Sequence, residues 1–110
     1  MHHIEMGNEE TTFEFVITEA SRDTLQIEHE GERETVRTDH YVVFAQALTA
    51  AYKRLDGTAR LQNESGRCIL MIVFERGQVS VEVTWGATTR KLKTDQSFII
   101  ETVRQIGILE

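Results

Sequence analysis

The sequence predicts an α+β domain, an antiparallel sheet of about six to seven strands with two helices, in the order β-β-β-α-β-β-β-β-α. Three observations carry this. Apolar residues alternate with period two at Thr12–Thr18 and Gln78–Trp85, as in half-buried strands. They recur at helical spacing between Tyr41 and Leu55. With no proline in the chain, seven glycines supply most of the punctuation between these segments. The 110 residues suit one domain, which divides into a polar, flexible leader over 1–10 and a folded unit over 11–110.

In chain order, Thr12–Thr18 places Phe13, Phe15 and Ile17 on one face and Glu14, Val16 and Thr18 on the other. Thr24–His29 and Glu32–Arg37 flank Glu30-Gly31, a two-residue turn that needs positive φ. That turn sets Leu25 opposite Val36, and Glu28 opposite Arg33 as an external charge pair. Tyr41, Phe44, Leu48, Ala51 and Leu55 then form one helical stripe. Asp39 stands where an N-cap would, Lys53 and Arg54 oppose the dipole in the last turn, and Gly57 is placed to close the end in a left-handed cap.

Four strands follow the helix: a short one at Thr58–Asn63, then Arg67–Glu75, Gln78–Trp85 and Thr88–Lys93. Arg67–Glu75 is nearly all apolar, the composition of a central strand covered on both faces. Arg76-Gly77 as a two-residue turn fixes Phe74 opposite Val79, Ile72 opposite Val81, Leu70 opposite Val83 and Cys68 opposite Trp85. The same arithmetic across Gly86-Ala87 sets Arg90 opposite Val83. A last helix starts near Asp95, capped by Thr94 or Asp95, with Phe98, Ile99, Thr102, Val103 and Ile106 on one side and Gly107 at its end. The sequence displays no internal repeat.

Enzyme signatures are absent: there is no glycine-rich phosphate loop, nucleophile elbow or His-Glu-x-x-His helix. Cys68 opens the most apolar strand and reads as a buried core thiol. His29 and His40 read as solvated histidines, because no carboxylate or thiol stands at a metal-ligand spacing from them. Met1-His2-His3 could chelate Cu(II) or Ni(II) through its amine, amides and imidazole, but reads as an incidental tail. No catalytic residue, metal site or cofactor is therefore expected. The lone cysteine and the absence of a basic-then-apolar leader place the expected compartment in the cytoplasm, and no apolar run reaches membrane-spanning length.

Charge is unevenly spread. Residues 1–40 hold eleven acidic and three basic side chains, a balance of −8, whereas residues 41–110 carry +2. The acids are densest at Glu28, Glu30, Glu32 and Glu34, around the first glycine turn. Such a tip steers a basic protein partner. It disfavours nucleic acid, for which the Arg90-Lys91-Lys93 strand lacks interleaved aromatics.

From Tyr41 onward the chain resembles small bacterial proteins of the WapI-like immunity type. The resemblance lies in the helix ending Tyr52-Lys53-Arg54-Leu55-Asp56-Gly57, the following Ala59-Arg60-Leu61 and Gly66. It continues through the apolar strand Ile69–Phe74, Gly77 with Val79, Val81 and Val83, and finally Leu92 and Asp95. It implies a non-enzymatic protein that neutralises a toxin by occlusion, with no catalytic residues to carry over. An aromatic residue expected before Leu25 is missing. The expected function is thus a protein-binding module with Glu28, Glu30, Glu32 and Glu34 at the interface and Arg33 holding the hairpin. The second class is a small-molecule-binding domain using a groove between sheet and helices, lined by Trp85, Met71 and Phe44. An enzyme built on Cys68 or His40 is a third.

Overall fold

The computed structural model describes residues 1–106; Gly107, expected to end the last helix, lies outside them. The elements are β1 (His2–Gly7), β2 (Thr12–Ala20), β3 (Thr24–His29), β4 (Glu32–Arg37), α1 (Thr38–Arg54), β5 (Gly57–Gln62), β6 (Cys68–Glu75), β7 (Gln78–Trp85), β8 (Thr88–Asp95) and α2 (Gln96–Ile106). The α+β class and the order of elements agree with the sequence expectation. Among the described residues the strands number eight rather than six to seven, and they form two four-stranded antiparallel sheets, β1-β2-β3-β4 and β5-β6-β7-β8.

The extra strand is β1, in the segment expected to be a polar leader. Its pairing with β2 runs from His2↔Ile17 to Gly7↔Thr12 and buries Ile4 and Met6. Two apolar residues among His2, His3 and Glu5 give too short an alternation to declare a strand without its partner. Once β2 supplies the hydrogen bonds, they are enough.

The chain is a ββββα unit used twice, a repeat that the sequence does not display. The helices are exchanged: α1 packs mainly on β5 of the second sheet, and α2 mainly on β1 of the first. Each covers a sheet edge. From α2, the Thr102 hydroxyl donates to the Glu5 carbonyl, and the Gln105 side-chain oxygen accepts the Glu5 amide at 2.7 Å. The free backbone amide and carbonyl of Glu5 on the edge strand are thereby satisfied. The two first hairpins match in detail. Asn8 accepts the Glu10 and Thr11 amides within its own turn and donates to the Lys93 carbonyl of β8 at 2.8 Å. Asn63 accepts the Ser65 and Arg67 amides and donates to Glu34 of β4 at 2.9 Å. Each asparagine therefore closes its own loop and pins the last strand of the other repeat.

The inner faces of both sheets and the buried stripes of both helices make one apolar cluster, including Phe13, Phe15, Phe44, Leu48, Ile72, Val81 and Ile99. Registers follow the turns as expected: Leu25↔Val36, Glu28↔Arg33, Phe74↔Val79, Ile72↔Val81, Leu70↔Val83 and Val83↔Arg90. The Cys68–Trp85 pair does not form. The β5–β6 ladder shifts between Leu61 and Gln62, so that Leu61 opposes Leu70 and Gln62 opposes Cys68. The bulge turns Ile69 and Leu70 both inward and sends Cys68 to the outer face, half-buried, instead of into the core. Coverage of β6 is also one-sided, since Met71 and Val73 on its outer face are only partly buried.

The helix ends differ from expectation in instructive ways. The N-cap of α1 is Arg37, with no side-chain cap; Asp39 instead accepts the Arg37 guanidinium at 2.8 and 3.1 Å. That hydrogen bond holds the Asp39 carboxyl down at about 2. At the other end Leu55, not Gly57, takes the left-handed cap (φ 57°), and Leu55 and Asp56 donate to the Tyr52 and Ala51 carbonyls. The cap of α2 is Asp95, as expected. It accepts the Ser97 hydroxyl and the Ser97 and Phe98 amides, which together lower its pKa. Among the described residues no helix is long and apolar enough to cross a membrane.

Candidate partner-binding hairpin and the cavity behind it

The β3–β4 hairpin is built by the turn chemistry of its sequence. Glu30 and Gly31 both have positive φ (54° and 81°), the mirror-image turn that matches strand twist. Alternation along the two strands then divides the four glutamates expected at an interface. Glu28 faces outward, where its carboxylate meets Arg33 at 2.8 Å and raises the arginine's pKa. Glu30 sits at the turn, 3.3 Å from Arg90 of β8. Glu32 and Glu34 alternate to the side facing the second sheet. Glu34, half-buried, accepts Asn63 at 2.9 Å and lies 3.4 Å from the Gly86 amide. The Glu32 carbonyl accepts the Trp85 indole N–H at 3.0 Å, while its side chain lies against Gly86. A continuous acidic strip is therefore not what the hairpin presents. Glu28 and Glu30 are outside, Glu32 stands at a rim, and Glu34 holds the two repeats together.

The outer face of the first sheet extends the acidic surface. Glu5 pairs across the strands with Glu14, and both are exposed, as is Glu19. His3, also exposed, sits 3.1 Å from Glu14. The outer face of the second sheet has the opposite character, with Arg60, Lys91 and Lys93 exposed around Met71, Val73 and Glu82. The charge bias legible in the sequence is thus a difference between the two repeats.

Behind the hairpin lies a cavity of about 230 Å³, lined by His29, Glu30, Glu32, Val83, Trp85, Thr88 and Arg90. His29, expected to be solvated, is 3% exposed. Its ring stacks on Phe15 at 4.4 Å and meets Trp85 edge-on at 5.8 Å. Alternation along β3 puts it on the inner face with Leu25 and Ile27, a pattern the sequence contained. Its Nδ1 is 2.9 Å from the Glu14 carbonyl, which only accepts, so Nδ1 carries a proton, and in that neutral tautomer Nε2 is a bare acceptor. That Nε2 is buried with no hydrogen-bond partner, a state that costs about 1–3 kcal/mol. Arg90 is held over the Phe13 ring at 4.7 Å as well as beside Glu30. This explains how an arginine tolerates a place opposite Val83: its stem covers the core edge and its head reaches the rim.

The other candidates are dispersed. Trp85, Met71 and Phe44 share no groove: Trp85 lines the cavity, Met71 lies on the opposite face of its sheet, and Phe44 is on the buried stripe of α1. His40 is half-buried rather than solvated, with its Nδ1 unpartnered. Among the described residues no group of three or more His, Cys, Asp or Glu side chains is placed to hold a metal ion. No family model, curated protein or solved structure matches this chain.

Proposed function

We propose that this chain is a non-enzymatic protein-binding domain of the immunity type, acting in the cytoplasm and neutralising a basic toxin by covering it. The single observation behind it is the acidic surface formed by the first repeat. Glu5, Glu14 and Glu19 on the sheet's outer face run into Glu28 and Glu30 at the hairpin, with Arg33 inside that surface. Charges spread over an exposed, rigid sheet steer association and select the sign of the partner. Rigidity comes from Glu34 and the Trp85–Glu32 hydrogen bond, which fasten the hairpin to the second sheet and spare it ordering on binding. Of the four glutamates, Glu28, Glu30 and Glu32 are those a partner reaches, whereas Glu34 contributes through the hairpin's position.

The experiment is co-expression with the protein encoded by the adjacent reading frame, followed by size-exclusion chromatography and an assay of that protein's toxicity. A stable complex with toxicity suppressed is expected. Free migration of both proteins with toxicity intact contradicts the proposal. A small-molecule-binding domain is the second reading, favoured by the cavity at Trp85 rather than by a groove between sheet and helices.

A further inference from the structure

We infer that the cavity between the first hairpin and the second sheet is a binding slot for a small organic cation, the ammonium or guanidinium head of a basic side chain or free amine. Its lining carries more negative than positive charge, and among the described residues one carboxylate at its rim is free. The His29 Nε2 atom is buried without a hydrogen-bond partner. Among the described residues the Glu32 carboxylate has no hydrogen-bond or ion-pair partner, though it lies at the rim. The Trp85 N–H, by contrast, is already given to the Glu32 carbonyl, and Arg90 is held by Glu30 and the Phe13 ring. Two carboxylates against one guanidinium leave the lining one negative charge in excess. An anion entering the slot meets Glu32, whereas a cation meets a free carboxylate and the indole of Trp85 beside the His29 ring. The volume, about 230 Å³, admits a head group on a short apolar stem, which Val83 and Trp85 can line.

The slot goes beyond the hairpin's part in steering a partner and does not depend on it. A free amine fills it whether or not a toxin exists, and the test below needs no protein partner. Trp85 is the sole tryptophan of the chain, so its fluorescence reports this cavity alone. The protein is titrated with n-butylguanidinium, n-butylammonium and N-acetyl-lysine methylamide at constant ionic strength, beside pentanoate as the anionic counterpart. A saturable change with roughly millimolar affinity is expected for the cations, together with a shift of the His29 Nε2 resonance in nitrogen NMR spectra. Glu32→Gln should weaken binding about tenfold. Glu75→Gln, at the end of β6 opposite Gln78 and exposed, should bind as wild type. Tighter binding of the capped lysine than of butylammonium marks a protein side chain as the occupant, and the reverse marks a free amine. Absence of a saturable change, an equal response to pentanoate, or unaltered affinity in Glu32→Gln overturns the inference.

Discussion

At the scale of single residues, position in the pleat decides consequence. Ile72 is fully buried in β6, opposite Ala59 and Val81, while Ser80 lies exposed one step along the neighbouring strand. Ile72→Ala should therefore cost about 2–5 kcal/mol through the cavity it leaves. Ser80→Ala should stay within about 0.5 kcal/mol. Urea melts of the two variants check this, and equal destabilisation would mean that the β6–β7 register is wrong. Tyr41 offers a pH test. Burial pushes its phenol up to about 12, above the ordinary value near 10. A phenol with a raised folded-state pKa keeps its contribution to stability below pH ~10 and loses it as pH rises towards 12. An ultraviolet titration should show one of the two tyrosines ionising only near pH 12, with unfolding setting in over the same range. Full ionisation by about pH 10.5 in the folded protein would contradict the buried placement. Two residues depart from expectation for separate reasons. Extending the Arg76-Gly77 register along the apolar strand puts Cys68 inside, but the bulge at Ile69 turns it out. The lack of ligands at metal spacing leaves His29 in solvent, but the alternation of β3 buries it.

At the scale of elements, legibility followed the strength of local periodicity and turn chemistry. α1, β7 and the turns at Glu30-Gly31 and Arg76-Gly77 were readable because period and glycine placement agree. β1 was not, since its hydrogen bonds come from β2 and its two buried residues make no pattern alone. The end of α1 was misread by two residues: the sequence offers Gly57, yet the chain turns at Leu55, whose backbone is left-handed and whose side chain is 39% exposed. A non-glycine residue there is strained. Leu55→Gly is accordingly expected to stabilise the protein by about 0.5–1 kcal/mol in thermal or urea unfolding. A loss of stability of that size would show that the Leu55 side chain, not its backbone, matters.

At the scale of the whole molecule, two ββββα units exchange helices around one core, and only β1 of the first unit lacks a pattern of its own. The matching turns at Asn8-Glu9 and Asn63-Glu64 were the available signal for the repeat. They were obscured because the remaining turns differ, Ser21–Asp23 in the first unit answering to Arg76-Gly77 in the second. The function was less legible than the fold. Charge counts located the acidic repeat, but not that Glu34 points inward, since a count carries no direction. The divergence of charge on one architecture is what motivates the proposal that the first sheet and its hairpin recognise a partner. The most direct measurement is the association kinetics of the adjacent gene's product with wild type and with Glu28→Lys/Glu30→Lys, at low and high salt. Glu34 is left intact so that the hairpin keeps its seat, and urea midpoints check the fold. Association of the variant should slow about tenfold or more at low salt, with dissociation little changed and the difference shrinking as salt rises. Equal association rates at low salt would contradict recognition through this hairpin and direct attention to the basic outer face at Arg60, Lys91 and Lys93.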